Sequence, residues 1–198
     1  MQTDIIAALV VFVFATSLSP GPNNLMLLAS GANFGFRRTV PHWAGISVGF
    51  QSMILITGAG LSRVFEIWPF SLTILKIISV MYLLWLAWRI ANASAPRSGA
   101  SDGAPLTLLQ AATFQWVNPK TWTMALTSLS VYAPGRDFQS VLIVAAGFLL
   151  AFVMSGSAWI TVGQQLSRLL NNPRRLRIFN WSMATLLVAS LYPVLVGS

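Results

Sequence analysis

The sequence predicts an all-α membrane protein: six transmembrane helices forming two inverted three-helix repeats, with the first and fourth helices broken. Three observations predict it. Hydrophobic residues fill 56% of the 198 positions and charged residues 8%, against roughly 25% charged in an ordinary soluble domain, too few to cover a soluble globule. Residues 39–62, 24 in all, hold no Asp, Glu, Lys or Arg, where about 20 apolar residues suffice to cross a hydrocarbon core of about 30 Å. Proline clusters interrupt two apolar segments at corresponding places in the two halves. Barrel strands would need segments of about ten residues in strict alternation, and no segment alternates that way.

The first span covers about residues 4–33 and opens MQTDIIAALV. Asp4 stands where a signal peptide carries Lys or Arg, and the apolar stretch outruns a cleavable segment, so it reads as a retained span. It is broken at residues 17–24 (SLSPGPNN), where two prolines remove backbone donors and glycine relaxes the geometry. The second span, about 41–61, carries Gly45 and Gly49 in the GxxxG spacing of close helix approach, toward a neighbouring helix or a second copy of the chain. His42, the only histidine, falls at its start and reads as interfacial, and Gln51 reads as an interhelical hydrogen-bonding group or a substrate contact. The third span, about 68–88, holds Lys76 and Tyr82. Lys76 either enters the site or snorkels outward, and Tyr82 either lines a cavity or packs.

Residues 91–105 (ANASAPRSGASDGAP) read as a flexible connector between repeat one, about 1–90, and repeat two, about 106–198, within a single transmembrane domain. The fourth span, about 106–132, is broken at residues 116–121 (WVNPKT) in the manner of the first. The fifth and sixth follow at about 138–166 and 178–196. Three spans per half is an odd number, so the halves face opposite ways across the membrane. Inverted halves with matching broken helices point to a transporter site near the midplane.

The net charge of +8 would suggest nucleic acid in a soluble protein, but no basic run is interleaved with aromatics. Arg37, Arg38, Arg89, Arg97, Arg168, Arg174, Arg175 and Arg177 fall in links on one side, and only Arg63 and Arg136 on the other. By the positive-inside rule the larger set is cytoplasmic and both termini lie outside. The cluster at 174–177 also suits anionic lipid head groups.

Cysteine is absent, which excludes disulfides, thiolate metal sites and Cys nucleophiles. Asp4, Glu66, Asp102 and Asp137 all fall at span ends or in links. An intramembrane or lipid-modifying enzyme needs a buried acid and base or a metal, and a metal-ion exporter needs clustered carboxylates, His or Cys. No catalytic residue, metal site or cofactor is therefore expected, although another small solute or ion on the same scaffold stays open.

The breaks supply a different chemistry. A half-helix starting at Pro22 or Pro119 presents unpaired N–H groups and a positive dipole end, suited to a carboxylate. One ending near Ser17 or Trp116 presents carbonyls, suited to an ammonium, and Asn23, Asn24 and Asn118 both donate and accept. Together they fit a zwitterion. Counting from Ala104 at 1.5 Å per residue puts Lys120 at most about 24 Å into the membrane-spanning segment, and an intramembrane lysine is functional by default. The alternative for Lys120 is pairing with backbone carbonyls of a broken helix for the fold alone. The candidate substrate contacts are Ser19, Pro20, Gly21, Pro22, Asn23, Asn24, Gln115, Asn118, Pro119 and Lys120, with Lys76 and Tyr82 behind them.

Pro-Gly-Pro-Asn-Asn at 20–24, Asn-Pro-Lys at 118–120, Leu-Lys followed by Tyr-Leu within 75–83, and Trp-Leu-Ala-Trp-Arg at 85–89 together resemble the LysE/RhtB family of bacterial amino-acid exporters. The runs at 45–50 and 84–91 are most similar to its cysteine/O-acetylserine branch, with a homoserine- or threonine-like substrate also open. The resemblance implies a secondary transporter working by alternating access in the bacterial cytoplasmic membrane, and it places the family's motif positions at Pro20, Gly21, Pro22, Asn23, Asn118, Pro119 and Lys120. Ser79, where the family often has Gly, is one departure, and the absence of a glycine in LLQAATFQWV ahead of Asn118 is another.

Overall fold

Proline, glycine and Asn-Pro pairs set most element boundaries in the computed structural model, which describes residues 2–61, 67–93, 104–170, 172–192 and 195. Arg63 and Glu66, and most of the connector with Arg97 and Asp102, lie outside the described residues. Among the described residues there are eight α-helices: α1 (Gln2–Leu18), α2 (Pro22–Phe34), α3 (Phe36–Ile56), α4 (Phe70–Ala91), α5 (Leu108–Val117), α6 (Pro119–Tyr132), α7 (Phe138–Ser167) and α8 (Pro173–Ala189). A wider π-type turn, Thr57–Leu61, continues α3 and ends at Gly60, whose φ of 119° disfavours any residue with a side chain.

The helix starts follow local rules. α6 and α8 both begin with Asn-Pro: proline fills the first position, where its missing N–H is no loss. The preceding Asn accepts from the backbone N–H two residues on, Asn118 from Lys120 at 3.1 Å and Asn172 from Arg174 at 2.8 Å. α5 starts with a capping box in which Thr107 and Gln110 each accept from the other's backbone N–H. α2 also begins with proline, but no side chain caps it.

Among the described residues three helices are long and apolar enough to cross a membrane: Phe36–Leu61, Phe70–Ala91 and Phe138–Ser167. The α1/α2 pair, bent by 53° at its break, makes a fourth when counted as one span. α5, α6 and α8, at 10, 14 and 17 residues, are each shorter than the ~20 residues a straight crossing needs. The outer faces are apolar: Val11, Ile77, Leu150 and Leu186 are all exposed, the placement that hydrocarbon rather than water rewards.

The two halves pack crosswise. α2 lies along α7, α3 along α5, α1 also against α7, and α4 against α8. Glycine brings the first two pairs into backbone contact. A Cβ on Gly31 would overlap the Ile160 carbonyl and one on Gly163 the Leu28 carbonyl, while Gly45 and Gly49 abut the Leu108 and Ala112 carbonyls. The GxxxG face is thus filled by α5 of the same chain. One apolar core gathers Val13, Phe50, Phe148 and Phe152, with Phe50 4.8 Å from both other rings, and a second gathers Met26, Ile46, Leu83, Phe114 and Leu187. Gln51 donates to the Ala145 carbonyl at 3.1 Å, an interhelical bond rather than a site contact.

Polar contacts fix the ends of the bundle. At one end Asn33 of α2 donates to Asn180 of α8 at 3.0 Å, Asn180 donates to the Ala93 carbonyl after α4 at 2.8 Å, and the Phe36 N–H donates to Gln164 of α7 at 2.9 Å. Arg37, Arg38, Arg89, Arg168, Arg174, Arg175 and Arg177 lie on the segments gathered there. At the other end the Tyr132 hydroxyl donates to the Ala8 carbonyl at 3.3 Å, and Arg136 follows in the adjoining link.

Candidate functional site

The two helix breaks meet. Between α1 and α2, residues 19–21 leave helical geometry, so carbonyls at the end of α1 lose their helical partners. Side chains replace them. Asn24 donates to the Ser17 carbonyl at 2.6 Å and the Ser19 carbonyl at 2.9 Å, and Ser155 of α7 donates to the Ser17 carbonyl at 2.8 Å. The second break is a single extended residue, Asn118. Thr121 Oγ1 lies 2.8 Å from the Gln115 carbonyl and 2.7 Å from that of Asn118, and the Trp122 indole donates to the Trp116 carbonyl at 2.8 Å. Buried Ser79 of α4 donates to the Val117 carbonyl.

Three side chains from the second break reach the first. Asn23 Nδ2 donates to Gln115 Oε1 at 2.8 Å, and Gln115 Nε2 returns a bond to Asn23 Oδ1 at 3.2 Å. Asn118 Nδ2 adds a longer contact to the same Asn23 oxygen, 3.4 Å. Lys120 Nζ donates to Ser19 Oγ at 2.8 Å and the Ser19 carbonyl at 2.9 Å, with the Pro20 carbonyl at 3.4 Å. Its stem lies against Gly21, where a Cβ would come within 2.8 Å of Cδ and Nζ. In this conformation the Lys120 ammonium sits among the Ser19 and Pro20 oxygens of the other broken helix.

Beside this junction is a cavity walled by Ser17, Gly21, Asn23, Asn24, Asn118, Lys120, Thr121 and Met124 among others. The centre of a water molecule can range over about 10 Å³ of it, room for about one water. Ser17 Oγ, on its wall, is buried without a hydrogen-bond partner among the described residues.

Of the sequence candidates, Ser19, Pro20, Gly21, Asn23, Asn24, Gln115, Asn118 and Lys120 come together here, with Pro22 and Pro119 starting the two inner half-helices. Tyr82 does not line the cavity: its ring stacks on Phe114 of α5 at 5.1 Å. Lys76 is exposed on α4 and also stands outside the cavity wall. Ser17 and Thr121 bound the two breaks in the sequence but carry no side-chain signal there, and Ser155, a lone hydroxyl in an apolar helix, has no spacing signal.

His42 lies near the start of α3. It is buried, with both ring nitrogens unpartnered among the described residues, in the wall of a second cavity of about 400 Å³ that also touches Asn33 and Arg89. Among the described residues no group of three or more His, Cys, Asp or Glu side chains is placed to hold a metal ion.

A family model described as LysE type translocator matches residues 14–190. The chain is 33% identical over 191 residues to a cysteine/O-acetylserine efflux protein of Klebsiella pneumoniae subsp. pneumoniae, covering 95% of each. It is 29% identical over 172 residues to proteins of that description from Escherichia coli strain K12 and Shigella sonnei, covering 85% of this chain and 87% of theirs. No solved structure matches the chain.

Proposed function

The chain belongs to the LysE type translocator family, and from that premise we propose that it exports a small zwitterionic amino acid or derivative across the bacterial cytoplasmic membrane by alternating access, loading it where the helix breaks meet. It is a transporter and not an enzyme. The carrying observation is the junction itself: Asn23 with Gln115, and Lys120 with Ser19, tie two broken helices into one polar centre inside an apolar bundle. The efflux proteins it resembles favour a substrate the size of cysteine or O-acetylserine.

We read the bundle as six crossings in two inverted halves, with both termini outside. The element order supports this, since each half runs broken pair, helix, helix: α1/α2, α3, α4, then α5/α6, α7, α8. The crosswise packing supports it too, because each half leads with a broken helix laid on the second span of the other. A crossing built from α5 and α6 spans 25 residues across its break, from Leu108 to Tyr132, which is enough.

In this reading the uncapped N-terminus of α2 and Lys120 receive the substrate carboxylate, while Asn23, Asn24 and the Ser19 and Pro20 carbonyls receive its ammonium. Efflux of labelled L-cysteine, O-acetyl-L-serine, L-threonine and L-homoserine from expressing cells tests it, followed by counterflow in proteoliposomes. At least one should leave several-fold faster than in cells carrying Lys120→Met at matched membrane abundance. Parental rates in that variant would remove Lys120 from transport, and no efflux of any of the four would reject the substrate class.

A further inference from the structure

We propose that the Lys120 ammonium is the resident occupant of the substrate's ammonium site, and that loading is an ion exchange. The incoming ammonium takes the Ser19 and Pro20 oxygens while Lys120 moves onto the incoming carboxylate. This rests on reading the junction of the breaks as the substrate site.

The geometry carries it in three steps. A lysine ammonium has three donors, and Lys120 Nζ faces three oxygens, Ser19 Oγ, the Ser19 carbonyl and the Pro20 carbonyl, at 2.8, 2.9 and 3.4 Å. That is how a substrate α-ammonium would be bound, so the two compete for one set of acceptors. The adjoining cavity has room for about one water, so no amino acid enters until a side chain leaves. Lys120 is the side chain whose departure both vacates acceptors and opens space over Gly21, against which its stem is laid.

The displaced lysine then needs an anion. No Asp or Glu lines the cavity among the described residues, and a charge without a partner inside a membrane is strongly unfavourable. Only a ligand with its own carboxylate completes the exchange. A bare amine would displace Lys120 and strand it, and an N-acylated amino acid would offer the carboxylate but only one neutral N–H in place of the three donors of an ammonium. Selectivity for zwitterions thus arises from Lys120 as competitor as well as from contacts to the ligand. Because Lys120 begins α6 while Ser19 and Pro20 end the α1 side, the exchange also releases one of the bonds joining the two breaks.

The purified full chain in lipid nanodiscs, titrated calorimetrically with L-cysteine, cysteamine and N-acetyl-L-cysteine under reducing conditions, tests the exchange. Wild type should bind L-cysteine and neither analogue. Lys120→Met, with its internal competitor gone, should bind cysteamine at least tenfold more tightly than wild type does, and adding Ser19→Ala should abolish that gain. No gain overturns the exchange, as does a gain that Ser19→Ala leaves intact, because relief of charge repulsion alone would not depend on Ser19. Lys120→Gln provides the same comparison where the Met variant does not fold. The cysteamine arms read the exchange even when L-cysteine is not carried, so failure of the exporter reading remains separate.

Discussion

Asn23 and Gln115, 92 positions apart in sequence, are joined as a reciprocal amide pair, Nδ2 to Oε1 at 2.8 Å and Nε2 to Oδ1 at 3.2 Å. Gln115 is fully buried. Truncating Asn23 leaves Gln115 Oε1 without its donor while Nε2 keeps the Ala111 carbonyl at 2.9 Å, and truncating Gln115 leaves Asn23 Nδ2 without its acceptor while Oδ1 keeps Asn118 at 3.4 Å. Each orphaned atom costs about 1–3 kcal/mol, and truncating both leaves neither orphan. The Asn23→Ala/Gln115→Ala double variant should therefore be less destabilised than the sum of the singles, with a coupling of about 0.6–1.7 kcal/mol, as for hydrogen bonds between membrane helices. A double-mutant cycle of thermal unfolding in detergent measures it. Coupling near zero would mean that this amide pair does not help to hold the breaks together.

Two glycines of α7 should respond in opposite directions to the same substitution. A Cβ on Gly147 would meet only Val13 methyls at 3.7 and 3.8 Å, an ordinary contact. Gly147→Ala should raise stability by up to ~1 kcal/mol through helix propensity. Gly163 instead lies against the α2 backbone, where a Cβ would overlap the Leu28 carbonyl and approach the Ala32 nitrogen to 3.0 Å. Gly163→Ala must push two helices apart and should lose about 1–3 kcal/mol, the usual range for overpacking. Thermal unfolding of the two variants side by side decides it, and equal effects would contradict the close α2–α7 approach.

Ser79 has a structural use at the second break. Its hydroxyl, buried on α4, donates to the Val117 carbonyl, which the second break deprives of its helical donor. Ser79→Ala should cost about 1–3 kcal/mol by leaving that carbonyl unsatisfied, and Ser79→Gly about 1 kcal/mol more from helix propensity. Thr73→Ala, on an exposed face of the same helix, is the matched control and should be near neutral in thermal unfolding. A neutral Ser79→Gly would show that the Val117 carbonyl is satisfied another way.

Much of the centre was legible because proline and asparagine carry local meaning. Residues 20–24 and 118–120 can neither continue a helix undisturbed nor leave their polar groups unpaired in lipid, so the breaks and their Asn side chains could be read without coordinates. Partner choice could not be. Nothing local distinguishes a lysine awaiting a carboxylate from one seated on the carbonyls 101 positions earlier, nor a GxxxG face meant for α5 from one meant for another chain. The cavity that His42 borders was equally invisible, because its wall is assembled from α2, α4 and residues 104–106, far apart in sequence.

The inverted halves make a claim about sides that the absence of native cysteine makes easy to test. Gly135→Cys sits in open space before α7, Arg168→Cys at its far end and Arg38→Cys at the α2–α3 corner. α7 has 30 residues, which at 1.5 Å per residue is about 45 Å of helix, more than a hydrocarbon core of about 30 Å requires. Positions 135 and 168 should therefore label from opposite sides with an impermeant maleimide, 135 from outside and 168 from the cytoplasm. Position 38 should share the side of 168, because the Phe36 N–H donates to Gln164 one turn before Arg168. Removing one arginine leaves the positive bias on that side intact. Labelling of 135 and 168 from the same face would remove α7 as a crossing and the inverted arrangement with it, whereas an exchange of the two faces would keep the architecture and reverse only its orientation.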